Sequence, residues 1–339
     1  MEVRVSGLHD IDAWDGFARD NGASVFHSHS WGDVIEHTFN YKRIYLLAEE
    51  ESKVEGILPL FYLKKIFTPK RLVSLPVSDL GGPVGTPNAV SELIESAQQL
   101  MVDLSCEFIE LKGPIIEKDY FVGEKYSTFL LDVPDSEDDL LKVIGKKNRN
   151  LVRKAIKNGV KIEQCTDLSD VAFFWDVYAE TMKQLGTPPY PKSFYENILK
   201  FMVKGGRASI LLAKKEDVVL GGAIFLRFGE TMYYLAGVTP HRNQNLSPNN
   251  LLVYTGLKIA QKSGLKTFDF GRTRREGVFN FKKSWGGTPK ELPYYYKALN
   301  PDKKVSSSKI TSLAPLWRKL IPLPASKILG PPLRAHFGF

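Results

Sequence analysis

Residues 210–229 read ILLAKKEDVVLGGAIFLRFG, and they match an earlier stretch, YLLAEEESKVEGILPLFYLK, at residues 45–64. The two stretches lie 165 positions apart (210 − 45), and at this offset Leu-Leu-Ala falls on Leu-Leu-Ala and one glycine on another. Each contains an apolar run, a charged turn and a second apolar run, which is the pattern of a β-hairpin. A repeat at a fixed offset predicts that the chain contains one structural unit twice.

The segments that follow the two hairpins also correspond in order and spacing. Each hairpin is followed by a strand, a loop rich in Gly, Pro or Asn, an amphipathic helix and a short closing strand. These patterns predict an α/β (α+β) fold of two tandem units, each a twisted mixed sheet flanked by helices. The predicted strands are 71–77 and 108–113 in the first unit and 231–238 and 267–272 in the second, and the predicted helices are 89–104 and 248–263.

The composition along the chain suggests where these units begin and end. We predict an N-terminal unit at 1–134, a basic connector helix at 135–165, a C-terminal unit at 166–300 and a basic, proline-rich tail at 301–339. Acids in the first turn of the connector and an Asn-Gly stop signal at its end predict a helix over 135–159.

The connector is predicted to be amphipathic, with an apolar side opposite a basic side. The basic side would bind phosphates of a tRNA, a nucleotide-linked sugar or CoA, or it is an ordinary solvated face. The apolar side holds Leu140, Ile144, Leu151 and Ala155, and the basic side holds Lys142, Lys146, Arg149, Arg153 and Lys157.

The composition is that of a folded soluble protein. Of 339 residues, 43% are hydrophobic and 25% charged, which excludes a disordered or collagen-like chain. No apolar run reaches the ~18 residues of a membrane span, and acids near the N-terminus argue against a secretory signal, so we expect a cytoplasmic protein. Two cysteines are too few for a disulfide framework or a four-thiolate site, and His27 and His29 lack acidic partners. We expect no metal and no tightly bound cofactor.

The net charge of +8 is concentrated in two segments. Residues 142–161 hold eight Lys or Arg and residues 303–339 hold seven, and neither segment contains an acid, leaving 31 of the 46 bases against all 38 acids elsewhere. The tail also carries prolines and large apolar residues, so it either packs on the body or lies on an anionic membrane surface. A peripheral position on the inner face of the membrane is therefore kept as an alternative.

The predicted strand order resembles the GNAT acyltransferase fold, and the tandem pair resembles the Fem family of peptidyltransferases over about residues 20–298. The motifs that carry this resemblance are NRNLVRKAIKNGV (148–160), FDFG (268–271) and FKKSWGG (281–287). The resemblance implies transfer of an acyl or aminoacyl group from acyl-CoA or aminoacyl-tRNA to an amine. The implied acceptor is a cell-envelope, polysaccharide or peptide precursor, small or lipid-linked. The alternative is a non-catalytic ligand-binding module that keeps the groove.

The Fem resemblance assigns the catalytic role to Phe281 and Lys282, with the aromatic ring packing and the ammonium reaching the reacting carbonyl. The sequence does not separate Lys282 from Lys283. Asp269, in an apolar strand, is predicted to be a general base or the partner of a nearby arginine, because an unpaired buried carboxylate is unfavourable. The candidates for substrate binding are Tyr234 (with Tyr233 on the opposite face), Arg149, Arg153, Arg242, Asn250, Arg272, Arg274 and Gly82.

The loop before the second predicted helix departs from the GNAT pattern. A CoA-binding unit has an R/Q-x-x-G-x-G/A loop whose N–H groups hold the pyrophosphate. Here the loop is VTPHRNQNLSPNNLL (238–252), where Asn245 and Ser247 replace the glycines and Pro248 lacks an N–H. This departure weakens the prediction of CoA, and the lack of a coiled-coil arm weakens that of tRNA, so the donor stays open.

Overall fold

The computed structural model describes residues 1–65, 68–113, 120–273, 276–300 and 314–337. These residues form two compact units. Unit 1 contains 1–126 and 291–300, and unit 2 contains 127–290 and 314–335.

The described residues form strands and helices that alternate along the chain. The strands are β1 (Glu2–Val5), β2 (Lys42–Glu50), β3 (Lys53–Lys65), β4 (Thr68–Val73), β5 (Val84–Gly85), β6 (Phe108–Lys112), β7 (Phe121–Asp132), β8 (Lys161–Gln164), β9 (Ala208–Lys215), β10 (Val218–Phe228), β11 (Thr231–Val238), β12 (Thr267–Asp269) and β13 (Thr288–Ala298). The helices are α1 (Ile11–Asp20), α2 (His29–Phe39), α3 (Pro87–Asp103), α4 (Glu137–Val143), α5 (Gly145–Lys157), α6 (Leu168–Gln184), α7 (Lys192–Asn197), α8 (Pro248–Lys262), α9 (Glu276–Lys283), α10 (Ala314–Leu320) and α11 (Leu323–Phe337).

The sheets of the two units have the same topology. The strand order is β1-β2-β3-β4-β6-β13 in unit 1 and β8-β9-β10-β11-β12-β7 in unit 2. In both, the first three neighbouring pairs are antiparallel, the fourth is parallel and the fifth is antiparallel. The predicted duplication and the tandem α/β fold are confirmed.

The duplication extends to the register of the hairpins. Ala48 pairs with Gly56 in unit 1, Ala213 pairs with Gly221 in unit 2, and each pair stands beside a register irregularity. Both positions need glycine because neighbouring atoms lie too close to leave room for a side chain. A Cβ on Gly56 would lie 2.8 Å from the Cβ of Ala89, and a Cβ on Gly221 would lie 2.6 Å from the carbonyl oxygen of Val238.

The first strand of each hairpin is apolar on both faces because helices cover both. In unit 1, Leu46 packs in the core cluster that includes Leu93 of α3. On the other face of β2, the ring of Tyr45 stacks on Trp14 of α1 with centroids 4.8 Å apart. A strand covered on both faces has a continuous apolar run rather than alternation, as residues 44–48 do.

The predicted connector helix is two helices in the structure. α4 ends before Gly145, whose φ of +72° lies in the left-handed region, and α5 starts there in a new direction. The guanidinium of Arg149 donates to the carbonyl oxygen of Leu141 at 2.5 Å and so satisfies a group at the end of α4. Leu140, Ile144 and Ala155 are fully buried, as the predicted apolar side requires.

The strand predicted at 71–77 ends earlier in the structure than the sequence pattern indicates. β4 stops at Val73 because Leu75 and Val77 adopt positive φ angles of 55° and 61°, which turn the chain out of the sheet.

The two tail helices pack on unit 2 along one side. The ammonium of Lys327 lies 2.5 Å from the Asp176 carboxylate. The guanidinium of Arg334 lies 4.3 Å above the ring of Tyr190 and donates to its hydroxyl at 3.1 Å. Gly330 stands against Pro189, so that a Cβ there would clash with the proline ring. These contacts fix the inner side of α11.

The described residues lack two further features. In the five described stretches, no helix is both long and apolar enough to cross a membrane. The same residues contain no group of three His, Cys, Asp or Glu side chains that could hold a metal ion.

His27 is a buried histidine of unit 1 that predicts a pH dependence of stability. Its Nε2 lies 2.9 Å from the carbonyl oxygen of Gly82, and its Nδ1 lies 3.0 Å from the Ser24 hydroxyl. Burial lowers the pKa of His27 from 6.5 to about 4. The unfolded chain therefore binds this proton more tightly than the folded one, and stability present above pH 6.5 is lost as the pH falls towards 4, by about 3 kcal/mol.

We expect urea unfolding to show this loss between pH 6.5 and 4, and to show a shallower dependence on pH in His27→Asn. The carboxylates titrate in both proteins, so the difference between the two slopes reports His27. Equal slopes in the two proteins would contradict the prediction.

Candidate active site

A cavity of about 290 Å³ lies in unit 2 where β11 and β12 part. The two strands pair in parallel as far as Tyr233 and Asp269, after which the chain turns at Gly271 with a φ of +72°. β11 continues beyond this point and forms one wall. The lining residues are Tyr234, Leu235, Ala236, Gly237, Asn249, Phe270, Gly277, Val278, Phe281 and Lys282.

A β-bulge brings backbone to this wall. Ile224 pairs with Ala236 and Phe225 pairs with Tyr234, so Leu235 is an extra residue without an opposite partner on β10. A bulged residue is left out of the ladder of hydrogen bonds. The cavity wall therefore offers main-chain polar groups as well as side chains.

The predicted catalytic pair lies on α9, at the opposite side of the cavity. Phe281 packs against Trp285 with ring centroids 6.1 Å apart. Lys282 is buried, and its ammonium donates to the carbonyl oxygens of Gly271 at 2.6 Å and Arg272 at 2.8 Å. These dipoles hold a positive charge at the cavity. Lys283 is exposed and is not a lining residue, so the structure separates the two lysines by position.

Asp269 holds the turn that positions Lys282. Its carboxylate accepts hydrogen bonds from the Thr128 hydroxyl and from the Gly271 N–H, the latter at 2.7 Å. The carbonyl oxygen of the same residue, Gly271, accepts a hydrogen bond from the Lys282 ammonium. Asp269 is therefore placed to act on Lys282 through the backbone of the turn.

Tyr234 is the tyrosine of the pair 233–234 that lines the cavity, as expected for one of the two. Its hydroxyl donates to the Asn249 side-chain oxygen at 3.1 Å, and its ring stacks on Phe225. Burial raises the pKa of Tyr234 well above its ordinary value, so the hydroxyl stays protonated at neutral pH. This side of the cavity is neutral and polar, opposite the cationic side.

Gly237 makes room for the Tyr234–Asn249 pair. A Cβ at Gly237 would overlap the Tyr234 hydroxyl and lie 2.9 Å from the Asn249 oxygen. We expect Gly237→Ala to displace both side chains and to lower kcat/KM by about tenfold, as loss of roughly 1.4 kcal/mol of transition-state stabilisation does.

Gly277→Ala is the matched control, because Gly277 also lines the cavity but has no atom within 4 Å of a built Cβ. It should keep normal kcat/KM. Equal activity of the two variants would show that the Tyr234–Asn249 pair is not needed.

The remaining predicted binding residues are spread over several places. Arg149 is bonded to Leu141, and Arg242 pairs with Glu180 at 2.7 Å. Asn250 donates to Asn148 at 3.2 Å, so that Asn249 rather than Asn250 lines the cavity. Arg153 and Arg272 have exposed side chains, Gly82 belongs to unit 1 as the acceptor of His27, and Arg274 lies outside the described residues.

The loop between β11 and α8 uses several of its N–H groups internally. Residues 241–246 form a tight 3₁₀ turn that uses its own N–H groups, with Asn243 bonded to Pro240 and Ser247 bonded to Gln244. The first helical residue, Pro248, has no N–H, and Asn250 donates to the Ser247 carbonyl. The N–H groups of Asn243, Ser247 and Asn250, and the one that Pro248 lacks, are therefore not offered to a pyrophosphate.

Sequence reasoning missed several lining residues. Leu235, Ala236, Asn249 and Val278 carry no distinctive chemistry, and their role comes from the bulge and from the start of α9. A glycine inside an apolar strand, as at Gly237, is the one local signal of close approach that would have pointed to this wall.

Comparison with known proteins agrees with this geometry. The family described as an acetyltransferase (GNAT) domain matches residues 143–283. The Lipid II:glycine glycyltransferase of Staphylococcus aureus is 23% identical in an alignment 245 residues long, and the match covers 50% of this chain and 58% of that protein. The chain thus spans little more than half the length of the curated relatives it matches.

Two solved structures share the fold. The crystal structure of FemX has a TM-score of 0.67 at 18% identity and covers 86% of this chain and 97% of that chain. A tandem GNAT protein from the clavulanic acid biosynthesis pathway has a TM-score of 0.57 at 10% identity and covers 88% of this chain and 100% of that chain. Both likenesses extend over both units.

Proposed function

Because this chain has the tandem GNAT fold and is similar to Fem-family proteins, we propose that it is an acyltransferase that moves an aminoacyl group onto an amine of a cell-envelope precursor. The observation that carries the proposal is the buried ammonium of Lys282 on the wall of the cavity. A positive charge held there by two carbonyl dipoles suits a reaction that develops negative charge on a carbonyl oxygen.

In the proposed reaction, the amine nitrogen of the acceptor attacks the carbonyl carbon of an aminoacyl ester. A C–N bond forms, the ester C–O bond breaks, and the proton of the amine passes to the released ribose oxygen. Lys282 stabilises the tetrahedral oxyanion, and Asp269 positions Lys282 through the Gly271 turn. Tyr234 and Asn249 orient the aminoacyl group from the other side. Alignment of the two substrates supplies much of the remaining rate.

We propose aminoacyl-tRNA as the donor, in preference to acyl-CoA. The 3₁₀ turn at 241–246 and Pro248 support this choice because they remove N–H groups that a pyrophosphate would bind. The basic side of α5 supports it too. Lys146, Lys147, Arg153, Lys154 and Lys157 are exposed, and this density of cations suits the phosphates of an acceptor stem.

We propose a lipid-linked precursor as the acceptor. Support comes from the Staphylococcus aureus relative, whose name, Lipid II:glycine glycyltransferase, describes an enzyme that acts on lipid II. A peripheral position on the inner face of the membrane is part of this proposal, since such an acceptor is held at the bilayer surface.

The test is a transfer assay with the full-length protein. Radiolabelled aminoacyl-tRNA, prepared from a mixture of all charged tRNAs, and radiolabelled acetyl-CoA are offered separately, each with lipid II and with its water-soluble nucleotide-linked precursor. We expect label to move from aminoacyl-tRNA to an acceptor amine. Transfer from acetyl-CoA alone would overturn the donor assignment. Binding of an acceptor without transfer from either donor would favour the non-catalytic module.

A further inference from the structure

The outer sides of the two tail helices carry large apolar side chains that nothing in the described residues covers. We call the set Leu316, Leu320, Ile328, Leu329 and Leu333 the tail face. The side chains of the tail face are 39% to 72% exposed, with Ile328 at 72% and Leu320 at 69%. A short segment with this much exposed apolar surface marks an interaction site rather than scattered surface residues.

On α11, Ile328 and Leu329 of the tail face point away from the side that packs on unit 2. On α11, Ser326, Lys327, Gly330 and Arg334 point to one side, where they are buried or bonded. At 100° per residue, Ile328 lies about 145° and Leu329 about 115° from the middle of that side, whereas Leu333 stands next to Ser326 at its edge. The helix is therefore amphipathic with respect to the body, and its outer apolar side is held in place by the Lys327–Asp176 and Arg334–Tyr190 contacts.

The charge around the tail face selects the partner. Arg318 and Lys319 are exposed at the end of α10 between Leu316 and Leu320, and residues 314–337 contain no acid. Exposed leucine and isoleucine side chains beside cations match a surface that has an apolar interior under an anionic outer layer. A bilayer with anionic headgroups has this structure, and each cation near it adds to the attraction.

A second copy of the chain fits the tail face less well. A symmetric contact would bring the same patch of both copies together, and with it the cations of both tails. No acid in residues 303–339 offsets that repulsion. A lipid surface supplies the opposite charge without this penalty.

We propose that the tail face docks unit 2 on the surface of an anionic lipid bilayer. The proposal says where this protein attaches to the membrane that holds the lipid-linked acceptor, and in that respect it rests on the proposed function. The surface itself depends only on the tail residues.

The test is co-sedimentation of the full-length protein with vesicles of phosphatidylcholine alone or with 30% phosphatidylglycerol. We expect binding to the anionic vesicles that weakens at high salt. Leu320→Glu/Ile328→Glu should weaken it at least about tenfold, because two apolar anchors are replaced by acids. The matched control is Leu8→Glu/Val218→Glu, which makes the same change at exposed positions outside the tail and should bind normally.

Absence of binding, or equal weakening in the two double variants, would overturn the proposal. So would a dimer of the wild-type protein that Leu320→Glu/Ile328→Glu converts to a monomer. Transfer to the water-soluble acceptor should be unchanged by Leu320→Glu/Ile328→Glu. If vesicle binding behaves as expected but no transfer occurs with any donor, the proposed function fails and the docking surface stands.

Discussion

Replacing Lys282 with methionine is expected to lower the rate of transfer by at least about a hundredfold, which is the usual effect of removing one group that stabilises an oxyanion. Methionine has a similar length and apolar stem, so packing beside Phe281 is largely kept while the charge is lost. Lys282 is the one cationic residue among the described residues that line the cavity, and its ammonium is held by the Gly271 and Arg272 carbonyls. Single-turnover transfer with saturating donor measures the effect on the chemical step.

Lys283→Met is the matched control for this prediction. Lys283 is the next residue on α9, and it is exposed where Lys282 is buried. The control removes the same charge from the same helix and should keep the wild-type rate within about twofold. A rate for Lys282→Met that also stays near the wild-type rate would contradict the catalytic assignment.

Folding must be followed in the same variants. Loss of the ammonium leaves the carbonyls of Gly271 and Arg272 without this donor, which costs about 1–3 kcal/mol when such groups are buried. Lys282→Arg keeps the positive charge but replaces the compact ammonium with a planar guanidinium. If Lys282 only supported the turn, the arginine variant would recover activity in proportion to its recovered stability. If the ammonium contacts the reacting carbonyl, Lys282→Arg should recover the stability of the protein but not the rate of transfer.

The fold could be predicted from the sequence because its signals are local and occur twice. The Ala-Gly pairs at 48/56 and 213/221 reproduce one hairpin, and the strand and helix patterns that follow reproduce one order of elements. Each pattern arises because one face of a strand or helix is buried, and this can be read from residues that are close together in the sequence. Independent agreement of two copies makes an accidental match improbable, and the same sheet topology in both units bears this out.

The partners of charged side chains could not be predicted in the same way. Arg242 pairs with Glu180, a residue on α6 that is distant in sequence, and nothing near Arg242 indicates this. Arg149 turns back to Leu141 only because the chain bends at Gly145. A phosphate-binding role for an arginine depends on which acids and carbonyls the fold brings to it, and that is a property of tertiary structure.

Lys282, the lysine that we propose to be catalytic, was partly predictable. The motif FKKSWGG identified α9, but the choice between Lys282 and Lys283 required knowing which side of the helix faces the cavity. The buried tryptophan of the same motif fixes that orientation. Trp285 is fully buried in the core of unit 2, and it anchors the end of α9 beside Phe281.

Trp285→Ala is therefore expected to lower the free energy of unfolding by about 3–5 kcal/mol, the range for removing a large aromatic side chain from a core. The loss combines the apolar surface no longer buried with the cavity that remains among Phe129, Phe270 and their neighbours. Urea unfolding, monitored by far-UV circular dichroism so that the lost indole does not affect the signal, measures the change.

Trp285→Phe is the informative companion. Within the described part of the chain, the indole N–H of Trp285 is buried without a hydrogen-bond acceptor. Phenylalanine keeps most of the packing and removes that unsatisfied donor, whose burial costs about 1–3 kcal/mol, so the two effects of the change oppose each other. We expect a net loss well below that of Trp285→Ala. A loss as large as that of alanine would mean that the indole N–H has an acceptor in the folded protein, and that α9 is held by a polar contact rather than by packing.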